Sequence, residues 1–524
     1  MNHCLQKPKI SVALKHVGRW MPFIVLLLGL LPRMSRFFLY RTLWIDEALH
    51  AHVITQSSYS ELLQPFHPLL CIAPTGYWLA EKISTEILGE NEFAFRLYPF
   101  LCGATSLFLF ERLVKKHATP VGGIISLALF ACSWGLIFYT GEVRPYAGDV
   151  LFGLLIAYLA MMLMEIRGHR FVYWALGITG CVLPWFSYTS VFVLAGAGIT
   201  IGVFLLKKKE TRPLIYVITI GVFWLASWAV NYLTQMRPIY AGDSYKKVMM
   251  YFSVDNNPSG NEFVAFPPFP PSSAQDMLWL PHMIVDFFDF PCGITFIRLA
   301  IIVAVIGCTV CLRRKPYHFM LLILPWLFVI MACYLHFYPL RHRYIVFLAP
   351  SAFLFIGTGL GFLLEKPKLR LLGVPILILL LVHPLANAVR LTHSPTKYQD
   401  LDSLIQIINQ NWETEDIIYV PFPTTLSFQY CAPRHGIDPA RCVLQPYYPE
   451  YPTPQEKVEL ESRLFPWTSP RFCYEEQFKQ LKGHGRVWVP MQYWGAPEGF
   501  EPDYVTQSYH THDAVLTLYD LSSL

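Results

Sequence analysis

Two carboxylates stand side by side in Leu43-Trp44-Ile45-Asp46-Glu47-Ala48, just after an apolar run that ends with Arg33 and Arg36. Carboxylates at a membrane surface are costly to desolvate, so their presence needs a reason. One such group can act as general base on an acceptor hydroxyl or amine. Alternatively, the pair only opens an amphipathic helix, whose N-terminus favours negative charge. A second cluster is Tyr139-Thr140-Gly141-Glu142-Val143-Arg144-Pro145-Tyr146-Ala147-Gly148-Asp149. The planar fork of Arg144 suits phosphate oxygens, but an ion pair of Arg144 with Glu142 or Asp149 would equally hold the turn. A third is Arg341-His342-Arg343-Tyr344, where the arginines either bind an anion or snorkel to lipid headgroups. Arg33, Arg36 and Arg96 also fall near helix ends on the same side. Together they point to an anionic ligand, and a lipid phosphate is the natural one.

The elements that position these residues are apolar. The 524 residues are 54% hydrophobic, 15% aromatic and only 15% charged, with a net charge of +5 and a mean hydropathy of +0.39. Soluble domains carry about 25% charged residues, so an ordinary cytosolic enzyme, a disordered chain and a nucleic-acid binder are all excluded. Runs of about 20 apolar residues cross a bilayer. They fall near 20–40, 97–114, 121–140, 145–165, 171–187, 188–206, 213–234, 291–312, 317–338, 343–364 and 370–389, which predicts about eleven transmembrane helices. The fifth and sixth are short enough to form a re-entrant pair. The basic N-terminus followed by an apolar run resembles a signal peptide. With no small-residue cleavage site after it, it reads as an uncleaved first span.

Lysine and arginine bias sets the orientation. The N-terminal tail (Lys7, Lys9, Lys15, Arg19) and alternate loops at Arg112–Lys116, Arg167–Arg170, Lys207–Arg212, Arg313–Lys315 and Lys366–Arg370 are basic. The intervening short loops hold only Arg144, Arg341 and Arg343. The N-terminus is therefore expected in the cytoplasm, with 41–96, 235–290 and the tail outside. The tail turns polar near residue 390. Asp416–Val420 and Arg486–Val489 read as strands and Leu401–Trp412 as a helix, so residues 390–524 are expected to form a small extracytoplasmic α/β domain after a membrane domain at 1–389. The Cys308-x-x-Cys311 pair lies in an apolar run and reads as helix packing. A disulfide between Cys431 and Cys442 is left open, with Cys473 over.

In this order and topology, the motifs resemble the GT-C membrane glycosyltransferases, in particular glycosyltransferase family 39, of the protein mannosyltransferase and bacterial lipopolysaccharide sugar transferase type. The L-W-x-D-E-A motif is Leu43–Ala48. The P-x-x-Y-W-L element is Pro74-Thr75-Gly76-Tyr77-Trp78-Leu79. The G-x-N-E-F-x-x-R-L-P element is Gly89–Leu97, with Tyr98 before Pro99. E-x-R-P-Y-A is Glu142–Ala147, and R-Y is Arg343-Tyr344. The resemblance covers roughly residues 20–390. It implies an inverting transfer of a hexose or pentose from a polyprenyl-phosphate carrier to a lipid, glycan or protein acceptor outside the cytoplasm, in a bacterial inner membrane. Asp46 would be the base with Glu47 beside it, and Arg36, Arg96, Glu142, Arg144, Tyr146 and Arg343 would bind substrate and phosphate. One departure is clear: the aminoarabinose transferase branch has Glu-Lys-Pro where this chain reads Ile72-Ala73-Pro74, so that branch's phosphate-holding lysine is absent.

No cofactor is required by this chemistry. His50 and His52, with Asp46, are the alternative as ligands of a divalent metal, but they lie two residues apart and point to different helix faces; His67 is a third nearby histidine. Two other classes compete: a transporter or flippase of lipid-linked sugars, which calls for paired half-sequences, and a non-catalytic membrane subunit.

Overall fold

A computed structural model describes residues 10–39, 42–64, 72–165, 170–238, 266–267, 269–395, 397–421, 424–445, 481, 483–492, 504–511 and 513–522. His67, Cys473 and, in the 235–290 loop, residues 239–265 and 268 lie outside the described residues. The contacts divide the chain into two compact units: 1–39 with 58–395, and 40–57 with 396–524. Residues 40–57, which carry the Asp46-Glu47 pair, thus group with the tail.

The first unit is helical. In chain order the helices of the protein begin with α1 (Ile10–Leu39), α2 (Ile45–Gln56, in the second unit), α3 (Tyr59–Leu62), α4 (Thr75–Leu88), α5 (Glu92–His117), α6 (Pro120–Cys132), α7 (Trp134–Thr140) and α8 (Tyr146–Glu165). Next come α9 (Arg170–Val182), α10 (Ser190–Lys208), α11 (Thr211–Asn231), α12 (Ala274–Asp289), α13 (Ile297–Arg314), α14 (Pro316–Tyr334), α15 (Ala349–Glu365) and α16 (Arg370–His393). A single 3-10 turn, His342–Leu348, leads into α15. Helices are forced here because lipid offers the backbone no hydrogen bonds.

Among the described residues, eight helices are long and apolar enough to cross a membrane, or nine if the bent pair α6–α7 is one span. The protein is an integral membrane protein. Each of the eleven expected runs has become helix, but two fall short as spans. At 13 residues, α9 rises only about 20 Å against a hydrocarbon core of about 30 Å. Helix α13 is less uniformly apolar than the eight, with Arg298 at its start and Arg313 and Arg314 in its last turn.

Membrane helices cannot use water exclusion to pack, so they rely on close approach at small residues. Helix α15 shows this: with the turn before it, 89% of its most apolar stretch is buried. A side chain at Gly357 would collide with the Gly122 carbonyl and Ser126 of α6, and one at Gly307 of α13 with the Phe355 carbonyl of α15. The Cys308-x-x-Cys311 pair lies on that same α13, with Cys311 buried beside His117. At the other surface of the bundle, α6 and α7 meet at a 51° bend. Ser133 caps α7 through Leu136 N and donates to Pro291 O at 2.9 Å.

The second unit is an α/β sheet of order β2-β1-β3-β5-β4, with β1 (Ile417–Val420), β2 (Val443–Leu444), β3 (Arg486–Met491), β4 (Val505–Thr511) and β5 (Ala514–Asp520). Strand β1 pairs in parallel with β2 on one side and β3 on the other, whereas β5 is antiparallel to both β3 and β4. Helix α17 (Leu401–Gln410) buries Leu401, Leu404, Ile405 and Ile408, spaced as one helical face. They pack with Ile418, Val420, Trp488, Leu516 and Leu518 of the sheet. Trp488 is fully buried, and its indole donates to Asp416 at 2.7 Å. A second short helix, α18 (Thr425–Cys431), follows β1. Cys442 is a free thiol, so it forms no disulfide with Cys431. Burial, aided by the Asp438 carboxylate, pushes Cys442 up to about 11.

The small-residue contacts make a direct expectation. Gly307→Leu should abolish the monodisperse peak of the detergent-purified protein in size-exclusion chromatography, since overpacking costs about 1–3 kcal/mol even where the backbone can move. Gly202→Leu, at a position with open space around it, should leave the peak unchanged.

Candidate functional site

In the first unit the site is built where α1, α7 and α8 meet. Arg33 and Arg36 are both buried near the C-terminal end of α1. They do different work. Arg33 donates to Ala131 O at 2.8 Å and to Phe130 O at 3.5 Å, as well as to Gly29 O of its own helix. Those α6 carbonyls lie in the last turn before the bend, where helix acceptors are left without intrahelical donors. Arg36 reaches one turn further. Its Nη2 pairs with Glu142 Oε1 at 2.5 Å, its Nε donates to Phe138 O at 3.1 Å, and its guanidinium lies 4.3 Å from the Phe138 ring centre. Gly141 leaves the space for this crossing, because a Cβ there would stand 2.6 Å from Arg36 Cγ.

Beyond that pair the chain turns tightly, with Arg144 N bonded to Glu142 O at 2.7 Å, and Pro145 leads into α8. Glu142 is fully buried and Arg144 half-buried. The second carboxylate of the motif, Asp149, accepts from Ser187 at 2.5 Å. Glu142 thus has Arg36 as a partner from a crossing helix, and Asp149 has a hydroxyl bond from Ser187.

Tyr139 is the meeting point. It is buried, and Tyr146 beside it meets Tyr344, the neighbour of Arg343, edge-on at 6.4 Å. Its ring packs edge-on against Tyr146 at 5.0 Å and Phe290 at 5.8 Å. Arg343 arrives on the 3-10 turn before α15 and lies 5.5 Å from the Tyr344 ring centre. That turn is fixed by the Tyr338 hydroxyl, which donates to Tyr344 O at 2.7 Å. The structure therefore brings together Glu142, Arg144, Tyr146 and Arg343 with Arg36 beside them. Arg96 is fully buried on α5. Sequence reading quoted Tyr139 only as the start of a motif. Nothing in the residue type marks it as the ring that packs on both Tyr146 and Phe290.

Asp46 and Glu47 belong to the second unit, in the first turn of α2. Asp46 is half-buried and Glu47 fully buried, as the turn of about 100° per residue dictates. On the same helix His50 is fully buried and His52 exposed. The two project to opposite sides, so they cannot close on one ion, and no step below is routed through a metal.

No family model and no curated protein sequence matches this chain. Solved structures do. The archaeal oligosaccharyltransferase AglB from Archaeoglobus fulgidus, in complex with an inhibitory peptide and a dolichol-phosphate, aligns with a TM-score of 0.50 at 10% identity, over 91% of this chain and 69% of its own. Apo ArnT from Cupriavidus metallidurans aligns at 0.48 and 10% identity, over 98% and 99%. The same protein bound to undecaprenyl phosphate aligns at 0.46 and 11%, over 97% and 98%. The likeness to the oligosaccharyltransferase is one of fold, and that fold is the GT-C type expected from the sequence.

The buried ion pair gives a measurable expectation. Removing one member of such a pair typically costs about 3–5 kcal/mol, because the other charge stays buried. Arg36→Ala should therefore lower the thermal unfolding midpoint of the purified protein far more than Arg144→Ala, and Arg36→Met with Glu142→Met should recover most of the loss.

Proposed function

We propose that the protein is a glycosyltransferase that moves a sugar from a polyprenyl-phosphate carrier to an acceptor on the non-cytoplasmic side of the membrane. The observation that carries this reading is the placing of Arg144 and Arg343 on two turns that meet through the edge-on contact of Tyr146 with Tyr344, in an apolar helical body. Arginine is expensive in such surroundings and marks a functional site, and its fork matches phosphate. The oligosaccharyltransferase with the same fold is described with a dolichol-phosphate, itself a polyprenyl phosphate, which supports a donor of that class.

The reaction is a single displacement. The acceptor oxygen or nitrogen bonds to the anomeric carbon, the bond from that carbon to the phosphate oxygen breaks, and the anomeric centre inverts. Asp46 takes the acceptor's proton. Arg144, Arg343 and Arg96 stabilise the charge on the departing polyprenyl phosphate, with Arg36 and Glu142 holding the turn that presents Arg144 and Tyr146. Phosphate leaves as an anion, so the step needs no general acid. The acceptor is a lipid, a glycan or a protein, and the sugar a hexose or pentose.

Two measurements test this. Mass spectrometry of envelope lipids, glycans and proteins from a deletion strain should show one missing sugar and an accumulated lipid-linked donor. Against that substrate, Asp46→Asn should fold and bind donor but turn over at least about a hundredfold more slowly, the scale of a lost general base. Glu47→Gln should be milder, and Arg144→Lys should weaken donor use although the charge is kept. Turnover of Asp46→Asn near the wild-type rate would remove Asp46 from the base role.

The orientation belongs to the same proposal: a bacterial inner-membrane protein with its N-terminus in the cytoplasm and its tail outside. Reporter fusions at Lys208, Arg314 and Lys368 should report cytoplasm, and one at the C-terminus should not. A cytoplasmic C-terminus would overturn the sidedness on which the mechanism depends.

A further inference from the structure

The start of α2 is held by residues from the far end of the chain. Helix starts leave their first amides without intrahelical acceptors, and Trp44, at the N-cap, makes no side-chain cap. The missing acceptor comes from Gln399, whose Oε1 receives Ile45 N at 3.3 Å. One residue earlier, Leu43 O accepts from Gln492 Nε2 at 3.4 Å, and the same amide nitrogen donates to Gln399 O at 2.9 Å. Gln492 is fully buried and Gln399 nearly so. Gln399 also sits at φ +50°, in the left-handed region, a conformation that non-glycine residues adopt at a cost. Thr42 donates to Asp402 at 2.7 Å, and Trp44 packs edge-on against Tyr398.

Gln492 has a defined place in the sheet. It follows β3 directly, and its own amide donates to Thr424, in the connection after β1, at 3.0 Å. Strand β1 has β2 on one side and β3 on the other, so the carboxyl ends of β1 and β3 form a topological switch point, where open α/β sheets usually bind their ligands. In this protein Gln492, at that edge, grips the chain's own segment Leu43–Ile45, and α2 packs on α18 beside it.

We propose that Gln492 and Gln399 are positioning residues for Asp46, and that the α/β unit serves to set the start of α2. The reason is rotational. Each residue turns a helix by about 100°, so the residue at which α2 begins decides whether Asp46 or Glu47 faces outward. Holding Leu43 O and Ile45 N fixes that start. With the hold gone, the first turn frays and the carboxylate loses its direction. This rests on the reading of Asp46 as the base.

The test uses the full-length protein in nanodiscs. The donor is the polyprenyl-linked sugar pool extracted from membranes of the source organism, the acceptor is the envelope fraction of a deletion strain, and the readout is released polyprenyl phosphate. Gln492→Ala and Gln399→Leu should lower kcat by about ten- to a hundredfold, the scale of a small misplacement of a reacting group, with donor KM unchanged. Gln399→Glu, which keeps an acceptor for Ile45 N, should restore the rate. Hydrogen exchange of peptides covering 43–50 should quicken in Gln492→Ala. In an Asp46→Asn background, Gln492→Ala should cause no further loss of rate. A normal kcat in Gln492→Ala, or an equal loss with and without Asp46, overturns the positioning role. Asp46→Asn turning over at the wild-type rate overturns instead the reading of the base on which this inference stands.

Discussion

The pairing of Arg36 with Glu142 is the interaction on which the membrane unit's site depends. Two opposite charges are buried in a body built for lipid, where each alone would be prohibitively costly. Once paired, they can exist only in one arrangement. The C-terminal end of α1 must lie against the α7–α8 junction, Gly141 must leave room, and the Phe138 carbonyl must take the Nε proton. That arrangement fixes the turn that carries Arg144 and Tyr146. It also explains why two arginines three residues apart on one helix have separate duties: Arg33 completes the end of α6 and Arg36 anchors the next turn.

The rest of the helical unit follows from the absence of water. Helices with apolar surfaces gain little by meeting one another in lipid, so contact is made where backbones come close. Gly357 against α6 and Gly307 against α15 are such places. They draw α15 into the middle of the unit and carry the 3-10 turn with Arg343 to Tyr139. The bend at Ser133 does the matching work on the other side, tilting α7 so that Tyr139 and Phe138 face the arginines.

The second unit obeys the opposite rule. It is an ordinary water-driven core: α17 lays one apolar face on the sheet, with Trp488 filling the centre. Its use of buried amides is less ordinary. Gln492 and Gln399 satisfy backbone groups of a segment more than three hundred residues away in sequence, so the tail is part of the frame that holds the carboxylate pair rather than an appendage.

What the sequence determined by itself was everything that depends on local periodicity and composition. The apolar runs became helices at the expected places, because a bilayer demands about 20 such residues with every backbone group satisfied. The short β-branched and aromatic runs Asp416–Val420 and Arg486–Val489 fall in strands β1 and β3, and the apolar spacing in Leu401–Trp412 in a helix. That Asp46 and Glu47 face different ways followed from helix geometry alone; which of them is buried did not. The fifth run, already short in the sequence, is shorter still as α9, because Leu183–Trp185 forms a 3-10 turn instead of continuing the helix. Only tertiary structure decided the partners. Glu142 pairs with Arg36, 106 residues away, because a crossing helix brings that guanidinium in line. Gln492 found Leu43 across 449 residues. Glutamine carries no periodicity, charge or motif that could announce such a bond, and which buried carbonyl needs a donor is settled only when the chain has closed around it.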